Sequence, residues 1–405
     1  MPELAELDLP YLAVEEADFA KDPVSHFVSA RERHPWLARC SVGYVVTEYQ
    51  AMREMLRHDA QMAMGFNEIV EIMGATGTPW GDFIAGTIQV QTGEVHARLR
   101  KAVHASFTPG EANRYRGVMR EEINRLLDAW LPKGEFDFEE FIAHFPITVL
   151  CRMIGASPEV IPSLRASLEA LGLAFSMDRN NLPELQRGMG VLYDCVHTLV
   201  AERRAGRRLS AEPDLLDQLL AARDAGGMDD EELYNLLIFL FGGGYDTSKN
   251  VLTLIMHNLL DRPEIYARCA ESAEFCRRVM NETFRFNGPS SATRKVTEDF
   301  TVRDVRFPAG TLVMFPWSVA GRDETAVECP HVYDPDRRGV HSHFAFGLGA
   351  HMCLGQFIAR AQIEEGLHVI AQRLRRPRRV GEIDWRPFPG VWGIRGLPIA
   401  FDADV

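Results

Sequence analysis

The clearest pattern along the chain is a set of apolar residues at three- and four-residue spacing from about Asp230 to Leu260. Asp229 precedes it and Glu232 follows three residues later, a capping-box pattern. Asp261 and Pro263 mark its end. About 31 residues at about 1.5 Å each predict a rod of roughly 46 Å, long enough to cross a domain. Similar spacing predicts helices over 49–57, 111–131, 137–154, 185–204, 263–286 and 355–374. The stretches 43–47, 293–296, 300–305 and 311–315 read as strands, and the tail beyond 374 as strands and turns. The expected class is mainly α (α+β), with small sheets beside a large helical body.

No Ser/Gly/Pro tract, low-complexity run or fixed-period repeat divides the 405 residues, so one domain over 1–405 is expected. With 46% apolar residues the chain can bury a large core and a cofactor. The net charge of −13 supplies no concentrated basic face of the kind that phosphate contacts need, so no nucleic-acid partner is expected. The short basic clusters at Arg203, Arg204, Arg207 and Arg208, and over 373–379, read as solvated helix ends and loops. The first ten residues carry no apolar h-region. The longest unbroken apolar run, about 236–241, is far short of the roughly 20 residues a membrane span needs. A soluble, cytoplasmic monomer without membrane contact is the expectation. Seven dispersed cysteines with no C-x-x-C argue against a disulfide scaffold, a zinc ribbon or an iron–sulfur cluster.

Two segments break local rules. The middle of the long helix reads Phe241-Gly242-Gly243-Gly244-Tyr245-Asp246-Thr247-Ser248. Three glycines inside a helix cost roughly 3 kcal/mol relative to alanine, which points either to a ligand lying against the backbone or to close helix packing with a back-bonded threonine. The second segment is Phe346-Gly347-Leu348-Gly349-Ala350-His351-Met352-Cys353-Leu354-Gly355, just before an amphipathic helix. Unpaired N–H groups at a helix start favour a thiolate on Cys353. Such a cysteine can be a metal ligand, a nucleophile or a buried thiol.

Phe346, Gly349, Cys353 and Gly355 match F-x-x-G-x-x-x-C-x-G, and in this the chain resembles the cytochrome P-450 superfamily, soluble bacterial type. A chance match in a chain this long is on the order of one in a thousand. Three further matches keep the family's order: His96 with Arg100 (H-x-x-x-R), the 243–248 stretch of the central helix, and Glu282 with Arg285 (E-x-x-R). The resemblance implies a triangular helix-rich fold with small sheets around a buried haem b. It implies Cys353 as axial thiolate to the iron, a ligand that pushes electron density toward the metal. Phe346 then shields the sulfur side and Gly355 opens the following helix. His96, Arg100, Arg294 and His351 become partners of the haem propionates, since cationic donors suit carboxylates. Asp246 and Thr247 correspond to the family's acid–alcohol pair, which passes two protons to the reduced oxygen.

Glu282 and Arg285 take a structural role, with His331 in the third place of that pair. Tyr245, Ser248 and Lys249 depart from the family's common pattern. Lys249 lies three residues after Asp246, where it either tunes that acid or simply faces solvent. Phe83, Gly243, Ala292, Val391 and Trp392 are candidates for the substrate pocket, together with 62–66 and 171–177. The implied activity is a monooxygenase that inserts one atom of O2 into a hydrophobic terpenoid-, steroid- or aromatic-like molecule. Its electrons come from NAD(P)H through a ferredoxin and its reductase. Arg98, Lys101, Arg114 and Arg116 are the expected basic docking patch for the ferredoxin.

Overall fold

The computed structural model describes residues 3–338 and 343–402. A helix over Asp230–Leu260 crosses the molecule, and the reciprocal bonds between Asp229 and Glu232 at 2.8 and 2.9 Å start it as the capping box predicts. Most of its residues are buried, including Leu233, Leu237, Ile238, Phe241, Val251, Leu254 and Ile255, so it forms the spine of the main core. The helices Phe138–Ile154, Ile161–Gly172, Leu182–Arg204, Ala273–Asn287 and Gln356–Arg373 all pack on it.

Two helices expected to be continuous are broken. The 111–131 stretch divides into Pro109–Arg114 and Arg116–Trp130. The 263–286 stretch divides into Pro263–Glu271 and Ala273–Asn287. Ser272 is the cause of the second break: its backbone is extended and its hydroxyl caps the N–H of Phe275 at 3.2 Å. The expected 300–305 strand is a hairpin, Phe300–Val302 with Val305–Phe307, because Arg303 and Asp304 both take positive φ, +48° and +63°.

A mixed five-stranded sheet runs in the order Leu37–Cys40, Gly43–Val46, Leu312–Phe315, Ala292–Val296, Met62–Met64. Its second core holds Trp36, Val46, Phe300 and Phe315. Along Ala292–Val296 every second side chain is buried, so Arg294 faces inward with Ala292 and Val296. Glu135–Asp137, Arg375–Arg379 and Pro398–Asp402 form a second sheet, and the hairpin of Asp384–Trp385 with Ile394–Gly396 brings the C-terminal region against the central helix. No helix among the described residues is long and apolar enough to cross a membrane.

Candidate active site

The three glycines divide the labour that the sequence left open. A Cβ on Gly242 would stand 2.7 Å from Leu171, so this glycine permits close helix packing. A Cβ on Gly243 would meet nothing nearer than Phe239 at 3.9 Å, and Gly243 is exposed midway along a buried helix. Open space therefore lies against the backbone there, walled by the half-buried ring of Phe239 one turn earlier. Thr247 donates to the Gly243 carbonyl at 2.6 Å, so close packing, an open face and a back-bonded threonine coexist.

Asp246 is buried; one oxygen is held by Arg386 and, at 3.3 Å, by the Asn250 amide, while the other has no hydrogen-bond partner. Lys249 does not face solvent. Its side chain is 0% exposed and its ammonium lies 2.6 Å from Glu139, 2.8 Å from Glu169 and 3.6 Å from Asp246. Tyr245, also buried, donates a short hydrogen bond to Glu169. Glu139, Glu169 and Arg386 carry no motif, so the sequence offered no signal for this cluster beyond the unusual Lys249.

The loop ahead of Cys353 turns at Gly347 and Gly349, with φ of +70° and +74°, conformations glycine adopts without strain. The Cys353 N–H donates to the Phe346 carbonyl at 2.7 Å, which closes the loop around the sulfur. The Phe346 ring packs edge-on against Phe284 and under the Arg360 guanidinium. Burial pushes the Cys353 thiol up, and the Gly355 N–H and the Arg100 charge only partly offset that. A directly bound metal cation would favour the thiolate that burial opposes.

Beside this loop four basic side chains gather, and Asp59 is the carboxylate that the described residues set beside them. Arg100 donates to the Met352 carbonyl at 2.5 Å. The rings of His96 and His351 lie 4.3 Å apart. Arg294 is 2% exposed, touches the Met64 sulfur, and has only Asp59 near it among carboxylates, at 3.9 Å. Burial, and then the charges of His96, Arg294 and Arg100, push His351 down to about 4. An unmatched buried cation is costly, and a ligand bearing carboxylates relieves it.

Glu282 and Arg285 pair at 2.6 and 2.8 Å, each side chain 1% exposed. Arg285 also donates to the carbonyls of Gly321, Pro330 and Val332 at 2.7, 2.8 and 2.9 Å. His331 does not join them: it is exposed and turned to Arg322 at 3.4 Å. Arg337, 3.9 Å from Glu282, holds the third place. Pro330 and Val332 offer their backbone carbonyls to Arg285, and that leaves the intervening His331 side chain pointing outward.

The pocket candidates separate as well. Gly243 is open and Val391 is half-buried, bridged to Ser290. Phe83 and Ala292 are packed in cores. Trp392 is core rather than lining, 3% exposed, stacked on Trp385 with its indole N–H on the Ala20 carbonyl. Phe66 and Phe175, with centroids 4.7 Å apart, and Phe239 are half-buried and so less enclosed than these. The expected docking patch is largely spent internally: Arg98 pairs with Glu232, Arg114 with Glu111, and Arg116 with Glu364 and Glu365.

The family model described as Cytochrome P450 matches residues 166–376. Luteothin monooxygenase of Streptomyces thioluteus is 32% identical over 403 residues, covering 98% of this chain and 97% of the relative. The chain belongs to the cytochrome P450 family. Solved structures share its fold: epothilone B-bound cytochrome P450epoK has a TM-score of 0.85 at 22% identity, covering 97% of this chain and all of that one. CalO2 has a TM-score of 0.86 at 22% identity, covering 98% and 100%. The protein is a cytochrome P450 monooxygenase, and the family uses haem b, O2, and NAD(P)H through redox partners. The residues present fit haem, since the Arg100 and Arg294 guanidiniums, with His96 and His351 as further donors, suit its two propionates and the cysteine loop offers a sulfur to its iron.

Proposed function

We propose that this cytochrome P450 inserts one oxygen atom of O2 into a hydrophobic small molecule, with electrons from a ferredoxin and its reductase, and works as a cytoplasmic monomer of one domain. Haem, when bound, supplies the activation of dioxygen. Cys353 holds the iron, His96, Arg100, Arg294 and His351 hold the propionates, and Phe346 and Gly355 shape the sulfur side. Asp246 and Thr247 would hold and pass protons beside the open backbone of Gly243. The observation that carries this reading is the group of buried and half-buried basic side chains beside the glycine-turned loop of Cys353, in which Arg294 has no carboxylate nearer than 3.9 Å among the described residues.

The substrate class follows from half-buried aromatic side chains, of which Phe239 borders the open backbone at Gly243. Phe239, Phe66 and Phe175 are half-buried aromatic rings, and such surfaces suit a terpenoid-, steroid- or aromatic-like molecule. The luteothin monooxygenase likeness makes luteothin a rational first compound to test. For the ferredoxin, exposed Leu348, Met352 and Phe357 flank the Cys353 loop, and Lys101 adds an exposed charge.

The test is the absorption spectrum of the purified protein reduced with dithionite and exposed to carbon monoxide. A strongly red-shifted Soret band is expected, followed by spin-state shifts with hydrophobic compounds. A haem band without that red shift would overturn the role of Cys353.

A further inference from the structure

Lys249 ties together three helices and, through Asp246, the C-terminal hairpin. Glu139 comes from Phe138–Ile154, Glu169 from Ile161–Gly172, Asp246 from the central helix, and Arg386 from the hairpin segment. Among the groups in direct contact, three carboxylates face two cations, which leaves one surplus negative charge there, with the Arg165 charge one step away at Tyr245. A proton held within the set relieves such a surplus. Burial raises Glu139, against the pull of Lys249. Burial acts the same way on Glu169, but there Lys249 and the Tyr245 hydroxyl outweigh it and hold that carboxyl low.

The route to solvent narrows to one residue. The side chains of Asp246 and Glu139 are 3% and 9% exposed, that of Lys249 is 0% exposed, and that of Glu169 is 36% exposed. Asp246 cannot reach water past its free oxygen, because that oxygen lies against the backbone of Gly172. What does reach outward is a line of contacts: Asp246 to Lys249, then Lys249 to both oxygens of Glu169 at 2.8 and 3.0 Å. The groups facing Glu169 are Lys249 and Tyr245 on the central helix, with Glu139 and Arg386 around them and Arg165 acting on Tyr245.

We propose that Glu169 is the port through which protons reach Asp246, with Lys249 as the link between the two carboxylates; this rests on the reading of Asp246 and Thr247 as the proton-passing pair. In the step, a proton from water binds Glu169. Protonated Glu169 gives it to Lys249 as Lys249 gives one to Asp246. The ammonium is regenerated and one proton has moved inward, with no oxidant or reductant consumed. Glu169 and Lys249 act through Asp246, as positioning residues. Because Glu169 binds its proton weakly, supply through it grows as pH falls.

The experiment compares wild type, Glu169→Gln, Glu169→Asp and Asp246→Asn as haem-loaded full chains. Each receives a ferredoxin–reductase pair, NAD(P)H and a hydrophobic compound that shifts the spin state. Glu169→Gln keeps the side-chain length and, through its one carbonyl oxygen, the bond from Tyr245 and one of the two from Lys249, but cannot carry the proton. It is expected to slow product formation on the order of tenfold, a modest share of what general acid catalysis contributes. It should also raise the solvent deuterium isotope effect and flatten the gain toward acid pH. Glu169→Asp should restore the pH dependence. Independently of turnover, a pH-difference infrared spectrum of the resting protein should lose one titrating carboxyl band in Glu169→Gln. Persistence of that band, or an unchanged pH profile and isotope effect while Asp246→Asn loses product, overturns the port and leaves the Asp246 reading standing. If Asp246→Asn itself forms product as wild type does, the proton-passing pair falls, and the port with it.

Discussion

Replacing Arg285 by methionine removes a guanidinium that is 1% exposed and makes five hydrogen bonds, two to Glu282 and three to the carbonyls of Gly321, Pro330 and Val332. Glu282 would keep only the Asp334 N–H at 2.8 Å and the more distant Arg337. Breaking a buried pair from one side costs about 3–5 kcal/mol, because the remaining charge stays desolvated. The three carbonyls add to this only so far as water cannot reach them, at about 1 kcal/mol each. The expected loss is therefore about 4 kcal/mol, toward the upper end of single-residue effects. With a urea slope of about 3–4 kcal/mol per M for a chain of this size, the midpoint should fall by about 1 M. Far-UV circular dichroism and tryptophan fluorescence on the same samples measure it, and their coincidence tests two-state unfolding. Arg285→Lys should recover less than half, since one ammonium cannot span the carboxylate and three carbonyls. The double variant Glu282→Gln with Arg285→Met should lose less than the two single losses added. A midpoint for Arg285→Met within about 0.2 M of wild type would refute the argument that this pair holds the helix to the 321–334 segment.

Arg294→Leu removes a buried cation whose nearest carboxylate is 3.9 Å away, so the haem-free protein should become more stable while the loaded protein releases haem faster to apomyoglobin; a parallel loss of both would contradict the proposed propionate role. Gly243→Val should fold normally, because the new Cβ meets nothing closer than 3.9 Å, yet it should abolish the spin-state response to hydrophobic compounds; an unaltered response would place the substrate elsewhere. Burial pushes His257 down to about 4, from 6.5 in the unfolded chain. Its contribution to stability is therefore intact above about pH 6.5, falls as pH drops toward 4, and totals roughly 3 kcal/mol at most. His257→Gln should flatten that part of a Tm-against-pH curve, and an unchanged slope between pH 6.5 and 4 would show that His257 titrates normally.

The sequence by itself determined the helical class, the span of the central helix and the positions of the cysteine loop and the Glu282–Arg285 pair. These are local matters: apolar periodicity, a capping box, glycines that permit positive φ, and two charges three residues apart. The same local reasoning ran the 263–286 helix through Ser272 and did not anticipate that residue's cap. It also placed His331 where Arg337 stands, and Trp392 in a pocket although its indole fills a core. Whether Lys249 met solvent or carboxylates was beyond the sequence, because Glu139, Glu169 and Arg386 lie 110, 80 and 137 residues away along the chain. Only packing of three helices and a hairpin brings those charges together. Which glycine opens onto space and which admits a neighbour was likewise decided by Leu171 and Phe239, side chains whose placement depends on how the helices cross. Charges and voids of this kind are properties of contacts between distant segments, and no periodicity along the chain encodes them.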